Sequence, residues 1–334
     1  MATVRVFLPT YRRRILLQRA VASLRAQSFQ DWVCEIHNDD PNDESPHRLL
    51  SELNDPRFQL ITHERNLGGT ATFNLFFKPT AEPFYAMLED DNWWEPAFLA
   101  TMMATAVAHA EVTVFWANLR LWQEMPDGSF RDTGRTAWPT EGKSRKSFAW
   151  GQPAQILGAL HSHGAALIRS RAGDDFTTPD VPIAAVEPFR ERALPHPIML
   201  VTAPLANFSI TLQTARSRDY SEWGEVQTVL AATFLKYAEL DAAATSKLWR
   251  DARAKSPAST SVLIAAALVE RSCRAQLRHS QAIDWLRWFV SSCRRPISLW
   301  RILRSRSRHP EWWDYLDSHS AARFKEKSHR DVGY

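Results

Sequence analysis

The chain of 334 residues is 45% hydrophobic and carries a formal net charge of +4, an ordinary globular composition that allows one large domain with an appendage or two domains. Its three cysteines, Cys34, Cys273 and Cys293, are too few and too far apart for a disulfide framework or a zinc ribbon, and they read as packing residues. No apolar run is long enough to span a bilayer, and the N-terminus enters a strand-like pattern without a signal-peptide layout, so a cytoplasmic protein is expected.

Val4 to Leu8 predicts a first strand, ended by Pro9-Thr10-Tyr11 and the basic run Arg12-Arg13-Arg14. Leu17, Ala20, Val21 and Leu24 recur at helical spacing and predict a helix over 16–24, with Gln18, Arg19 and Ser23 towards water. Trp32 to Ile36 reads as a second strand that runs into the acidic loop from His37 to Glu44; Phe58 to Thr62 is a third. A polar connection through Asn66, Gly68 and Gly69 precedes a helix over 72–77, and Phe84 to Leu88 is a fourth strand. Strands alternating with helices imply a parallel sheet with right-handed crossovers, whose strand ends share one edge. The Pro9 turn, the Asp39 loop, the Gly68 loop and Glu89 to Asp91 then converge at the rim where open α/β sheets bind ligands.

Pro96 to Ala110 continues as a helix and Val112 to Ala117 as a strand, and Leu119 to Gln123 and Ser129 to Arg131 flank the Pro126-Asp127-Gly128 turn of an antiparallel excursion. Thr133 to Pro153 is long and polar, which fits a mobile loop over a site. His161 to Arg169 restores a strand pattern, Asp180 to Leu194 a helix, and Pro204 to Leu212 a further strand. Beyond about Arg216 only helical periodicity remains, notably over 226–240 and 262–277. Residues 1–215 are therefore expected to form an α/β domain with a mostly parallel, helix-flanked sheet, and residues 216–334 an all-helical region. Tryptophan is abundant at 14 residues, and the pairs Trp93-Trp94 and Trp312-Trp313 read as not wholly buried. From Trp285 to Trp313, aromatic residues interleave with Arg287, Arg294, Arg295, Arg301, Arg304, Arg306 and Arg308. A basic aromatic amphipathic helix either lies on an anionic membrane surface or packs its aromatic face inward.

The apolar run ending at Leu88 stops at Glu89, Asp90 and Asp91, and Pro96 opens the next helix. Three adjacent carboxylates repel one another, and a hard divalent cation would offset their charge; Mg2+ and Mn2+ commonly keep substrate phosphates in their coordination shell. The same acids also suit a turn that caps a helix. The acids alone do not separate these readings.

Taken in order, the segments resemble the family 2 glycosyltransferases of GT-A fold over roughly the first two thirds of the chain. Val-Phe-Leu-Pro-Thr-Tyr-Arg-Arg resembles the family's first strand and nucleotide-contacting turn, and Ser23-Leu24 with Ala26-Gln27-Ser28-Phe29 is similar to the family's S-L-x-x-Q-S/T-F/Y segment. Asp39-Asp40 matches the paired acids. Asn66, Gly68, Gly69 and Asn74 resemble the N-x-G-x-x-x-A-x-N stretch, with Thr72 and Phe73 where Ala and Arg are more usual. Glu89-Asp90-Asp91 looks like the metal-binding DXD motif.

The resemblance implies an inverting enzyme dependent on Mn2+ or Mg2+. It would move a sugar from a nucleoside diphosphate, a UDP-sugar foremost, to a hydroxyl of a glycan or lipid-linked acceptor in bacterial surface polysaccharide synthesis. It implies donor contacts from Pro9, Thr10, Tyr11, Asp39, Asp40, Asn66, Gly68, Gly69, Asn74 and Asp90. Among these, Asp40 would meet the nucleotide base and Asp90 would position the ribose or the metal shell. The metal would be held by Asp91 with Glu89. The general base is implied at Glu187, with Asp180 and Glu191 as alternatives, although Pro188 stands where a second acid is usual. His163, Trp93 and Trp94 are acceptor-side candidates; one of the tryptophans could equally serve helix packing. His161 and His163 without further ligands do not make a zinc site.

Pro188, and the absence of a histidine near a Tyr-Arg pair after the strand at 204–212, keep open a non-catalytic GT-A-like module that binds a nucleotide sugar or glycan. The C-terminal arginines and aromatics are compatible with single-strand binding, but no nucleic-acid motif accompanies them, and no nucleic-acid partner is expected. A dinucleotide oxidoreductase is excluded because Pro9-Thr10-Tyr11 fills the turn that would need Gly-x-Gly-x-x-Gly. Peripheral contact with the inner face of the cell membrane through the basic aromatic helices is the remaining partner expectation.

Overall fold

The structure, a computed structural model, describes residues 2–212 and 220–331. The chain divides into two units, one of Met1–Ala149, His161–Ile183 and Leu194–Ala215, the other of Trp150–Leu160, Ala184–Ala193 and Arg216–Tyr334. The junction expected at residues 215–216 lies outside the described residues.

The first unit contains β1 (Val4–Thr10), α1 (Arg14–Arg25), β2 (Trp32–Asn38), α2 (Ser45–Leu53), β3 (Phe58–Thr62), α3 (Gly69–Asn74) and β4 (Phe84–Met87). It continues with β5 (Trp93–Trp94), α4 (Phe98–Ala108), β6 (Val114–Glu124), β7 (Phe130–Thr136), β8 (Arg145–Phe148), β9 (Ala166–Arg169) and β10 (Ile198–Ile210). Among the described residues the strands form one sheet in the order β3-β2-β1-β4-β9-β6-β10-β5, with β7 on β6 and β8 on β10. β1 to β4 pair in parallel, whereas β9 runs antiparallel between β4 and β6. The sheet is a mixed one beyond β4.

The helical spacing read in α1 is the spacing that packs: Leu17, Ala20, Val21 and Leu24 are buried against Val6, Leu8, Trp32, Ile36 and Leu88. Each such Leu, Val or Ile stabilises the fold by about 1.5–3 kcal/mol relative to exposure. Gln27, also buried, fastens α1 to the next layer: its Nε2 donates to the Glu95 carbonyl at 2.8 Å while its Oε1 accepts the Leu99 N–H at 2.9 Å. That pair of bonds seats the start of α4.

The polar stretch 133–153, expected as a loop, is partly sheet. β7 extends into it to Thr136, and β8 pairs antiparallel with β10 from Ile198 opposite Phe148 to Val201 opposite Arg145. β8 adds to the sheet through its backbone and buries only Phe148, so its side chains give no period-two signal. Beside it a cleft of about 500 Å³ is lined by Trp138, Glu141, Lys143, Arg145, Lys146 and Thr202, among others.

Arg5 on β1 donates through Nε and Nη2 to Glu82 at 2.6 and 2.7 Å, a two-pronged bond that ties β1 to the turn before β4. It holds the Glu82 carboxyl below its ordinary range, with burial opposing. A depressed carboxyl contributes stability that is complete above its unfolded value of about 4.3 and is lost as pH falls through the folded value. Glu82→Gln should therefore cost about 1–3 kcal/mol at neutral pH. The Tm gap between variant and wild type should narrow as pH falls below about 4.3 and close only below the folded value; a gap that does not narrow on acidification would show that the ion pair is not its source.

The second unit contains α5 (Val186–Ala193), α6 (Tyr220–Tyr237), α7 (Ala242–Lys255), α8 (Pro257–Val269), α9 (Ala282–Arg294), α10 (Pro296–Arg308) and α11 (Pro310–Asp331). α6 is its centre and packs on α8, α10 and α11. The basic aromatic segment is not one helix, because Pro296 and Pro310 each start a new one. The pair Trp312-Trp313, expected to be partly exposed, is buried at 3% and 1%. Trp312 lies edge-on to Phe189 of α5 and stacks on His309, and Trp313 sits under the Arg306 guanidinium.

Candidate active site

The strands β1, β2 and β3 end level, and β4 stops earlier, at Met87 opposite Phe7, with Leu88 to Asp91 continuing along the end of β1. Thr10 lies opposite Asn38 and Asn38 opposite Thr62, while the Asp39 N–H donates to the Thr10 carbonyl at 3.0 Å and the Leu88 N–H to the Phe7 carbonyl at 2.9 Å. The Pro9-Thr10-Tyr11 turn, Asp39-Asp40, the Gly68 loop and Glu89 to Asp91 consequently lie along one edge.

Asp90 and Asp91 share one cation. The Asp90 carboxylate is buried, accepting the Thr10 hydroxyl at 2.9 Å on Oδ2 and Arg13 Nη1 at 3.0 Å on Oδ1; the same nitrogen donates to Asp91 Oδ2 at 2.8 Å. Arg19 donates to the Asp91 carbonyl at 2.6 Å and to Ser209 Oγ at 3.0 Å, and the Ser209 hydroxyl donates to that carbonyl as well. Burial pushes the Asp90 carboxyl up to about 6, against the pull of Arg13 and with a further push from Asp91. Asp91 is raised too, by burial against Arg13. Burial also brings Arg19 down to about 10. The corner holds more negative charge than its surroundings favour and attracts cations.

Glu89 turns away from this pair. Its Oε2 accepts Asn92 Nδ2 at 2.5 Å and lies 2.6 Å from where a Cβ on Gly164 would stand, so a side chain at residue 164 would displace the Glu89 carboxylate. Among the described residues no cluster of three or more His, Cys, Asp or Glu forms a closed cage. Asp90 and Asp91 nevertheless fit a hard cation of the kind that a few carboxylates hold and that phosphate oxygens and water complete. Arg13 and such a cation compete for the same oxygens. Arg13→Ala should cost the metal-free protein about 2–3 kcal/mol by removing the cation from the buried Asp90 and the half-buried Asp91, and added Mn2+ should recover much of that loss in thermal-shift scans.

The other predicted residues divide by role. Asp39 accepts the Leu67 and Gly68 N–H groups at 2.7 and 3.0 Å, so it straps the Gly68 loop to β2, with Gly68 at a φ of +82° that favours glycine. Asp40 accepts Arg12 Nε at 2.5 Å and the Asn42 N–H at 3.0 Å, and the Arg12 bond holds its carboxyl below the usual range. Arg12 has a φ of 56°, a conformation that costs a non-glycine residue, and its guanidinium lies 5.0 Å from the exposed Tyr11 ring. Asn74 exchanges bonds with Thr178, donating to its carbonyl at 2.7 Å and accepting its N–H at 3.0 Å, which fixes α3 to the segment before Asp180. Asn66, Gly69 and Asp180 are exposed.

Trp94 is the packing member of its pair: it is buried, stacks on Phe98 at 4.1 Å and donates Nε1 to the Gly164 carbonyl at 2.8 Å. Trp93 is half-exposed, with the Arg19 guanidinium 4.0 Å from its ring. His163 is 1% exposed, packed on Phe77 at 4.7 Å. Glu187 and Glu191 belong to the second unit. Glu187 is half-buried in the first turn of α5; Glu191 is fully buried, accepting Gln155 Nε2 and the Leu160 N–H, both at 2.7 Å.

Sequence reasoning passes over Arg13, Ser209, Asn92 and Gly164, and sets Arg19 towards water, whereas Arg19 is half-buried at the Asp91 carbonyl. The signal for Arg13 is the basic run just after β1. Because β1 and β4 pair in parallel, the turn leaving β1 and the turn leaving β4 are neighbours, and Arg13 and Asp90 lie in those two turns.

Residues 5–170 match the family described as Glycosyl transferase family 2. WcaA of Escherichia coli K12, described as a candidate glycosyl transferase of colanic acid biosynthesis, is 28% identical over 102 residues, covering 30% of this chain and 37% of WcaA. The Escherichia coli UDP-Glc:alpha-D-GlcNAc-diphosphoundecaprenol beta-1,3-glucosyltransferase WfgD is 26% identical over 91 residues, covering 27% of this chain and 36% of WfgD. The shared stretch thus spans little more than a third of either relative. The crystal structure of S. aureus TarS 1–349 in complex with UDP-GlcNAc matches with a TM-score of 0.57 over 99% of this chain and 93% of that one, at 13% identity, which is a likeness of fold. With the family's sequence pattern at residues 5–170 and a GT-A-type sheet beneath it, the chain belongs to the family 2 glycosyltransferases.

Proposed function

We propose that the chain is an inverting, divalent-metal-dependent glycosyltransferase of bacterial surface polysaccharide synthesis, moving a sugar from a UDP-sugar to a hydroxyl of a glycan or lipid-linked acceptor at the inner face of the cell membrane. Catalysis belongs to residues 1–215, and residues 216–334 form an accessory helical region. The observation that carries the reading is the pair of buried Asp90 and half-buried Asp91 at the edge where β1, β2, β3 and β4 end. The names of its relatives support it, since WfgD uses UDP-Glc with a diphosphoundecaprenol-linked GlcNAc, and TarS was crystallised with UDP-GlcNAc.

In this reading Asp40 and the Tyr11 ring meet the nucleotide base, and the backbone from Pro9 to Thr10 and from Asn66 to Gly69 borders the donor. Thr10 keeps the Asp90 carboxylate aimed at the ribose or the metal's shell. Asp91, next to Asp90, would hold Mn2+ or Mg2+, which would supply positive charge to the leaving diphosphate, and Glu89 would join them only by leaving Asn92. Trp93 offers its half-exposed ring to the acceptor, and buried His163 and Trp94 shape the floor beneath it. Glu187 takes the acceptor's proton, and a single displacement inverts the anomeric carbon.

The test is a panel of nucleotide sugars scanned by thermal shift with Mn2+, followed by transfer assays on the donors that raise Tm. One UDP-sugar should stabilise the protein and be turned over, with loss of turnover in EDTA. A donor that binds tightly and is never turned over would assign the chain to the non-catalytic binding module instead.

A further inference from the structure

The second unit carries a pair of helices whose amphipathicity is reversed. In α9 the fully buried position is Asp284, whose carboxylate accepts Arg253 Nε at 2.9 Å, while Leu286, Phe289, Val290 and Cys293 recur at i, i+3, i+4 and i+7 on the opposite side and are exposed. In α10 the buried position is Ser305, and Ile297, Trp300 and Leu303 are exposed by 53–67%. Eight of the fourteen exposed large apolar side chains among the described residues fall between Ile283 and Leu303, on two consecutive helices that touch one another, and such a concentration is unlike scattered surface residues. The inner sides of both helices are already used, α9 against α8 and α10 against α6, α8 and α11.

We propose that the outward face of α9 and α10 docks flat on an anionic lipid bilayer. Charge selects the occupant. Residues 282–308 contain seven arginines and one acid, the buried Asp284, and Arg287, Arg294, Arg295 and Arg304 are exposed around the apolar stripe. A second copy meeting this face through a two-fold axis would set arginines against arginines. Nucleic acid would pair with the arginines but leaves Leu286, Val290, Ile297 and Leu303 without bases to stack on. An anionic bilayer satisfies both: aliphatic and aromatic side chains enter the acyl boundary, tryptophans sit at headgroup level, and the arginines meet lipid phosphates. Thirteen residues of α9 make a helix of about 20 Å, too short to cross the membrane and suited to lying in its surface. The inference rests on the membrane setting proposed above but not on sugar transfer.

The thiols provide the probe. Cys293 is exposed at the C-terminal end of the α9 stripe, where α10 follows, while Cys34 and Cys273 are buried, so an environment-sensitive fluorophore attached to the folded protein labels Cys293. The full-length labelled chain, without donor, is mixed with phosphatidylcholine vesicles and with vesicles that also contain phosphatidylglycerol. The label should shift to the blue and the protein float only with the anionic vesicles, and salt of about 1 M should reverse both. The variant Leu286→Gln, Phe289→Gln, Trp300→Gln should bind at least about tenfold more weakly, and Arg287→Gln, Arg294→Gln, Arg295→Gln, Arg304→Gln should lose the preference for anionic lipid. All these side chains are exposed, so both variants should keep wild-type Tm. Wild type that ignores both vesicles, variants that float like wild type, or a dimer that the apolar variant dissociates without any vesicle binding would each overturn the proposal. Donor-induced thermal shift on the same preparations reports separately whether the transferase reading holds.

Discussion

Asp91→Ala is expected to lower kcat/KM for sugar transfer by about 10³-fold or more while leaving the metal-free protein as stable as wild type. The two halves of that expectation come from the same geometry. Asp90 and Asp91 are adjacent like charges in a buried corner, and burial raises the proton affinity of both. Removing one relieves repulsion, and Arg13 stays bonded to the other, so the fold loses little. What the variant loses is the second carboxylate that would hold a cation at the edge where the nucleotide loops meet. Mn2+ with UDP should raise the Tm of wild type and leave that of the variant unmoved. Transfer within about tenfold of wild type would remove Asp91 from the metal site.

The parts of this site that are legible in the sequence are the ones whose cause is local. The strand after Thr3 and the helix over 16–24 announce themselves by period, and a parallel β-α repeat fixes which strand ends share an edge, so Thr10, Asp39, Gly68 and Asp90 can be brought together from the residues alone. α2 gives no such signal, because its apolar residues, Leu49, Leu50 and Leu53, are crowded into its last turns behind an acidic loop. Arg13 escapes assignment for another reason: nothing in its own neighbourhood of sequence says that a guanidinium will bridge carboxylates 77 and 78 residues away. The tryptophan pairs show the same limit. Trp93 and Trp94 are adjacent and identical, yet β5 pairing against β10 sends one towards Phe98 and the other under Arg19, because neighbouring strand residues face opposite ways. Glu191 reads as a helix acid and an alternative base, and its burial depends on Gln155 and Leu160, more than thirty residues upstream.

Glu187→Gln is expected to lower kcat by about 10²–10⁴-fold with the donor KM little changed, the loss produced when a general base is removed and the binding contacts remain. The neighbouring acid provides the control. Glu191 has no exposed surface, and its two oxygens hold the Gln155 side chain and the Leu160 N–H, so Glu191→Ala leaves a buried amide and a buried backbone donor without those bonds. It should cost about 2–4 kcal/mol, read as a fall in Tm, with turnover per folded molecule retained. Glu187 stands half-buried in the first turn of α5, and glutamine keeps its size and most of its hydrogen-bonding capacity, so Glu187→Gln should stay within about 1 kcal/mol of wild-type stability. The two substitutions, four residues apart on one short helix, thus separate chemistry from folding. If Glu187→Gln turns over like wild type while Asp180→Asn does not, the base moves to the exposed acid held near α3 by the Asn74–Thr178 bonds, and the metal corner at Asp90 and Asp91 is unaffected.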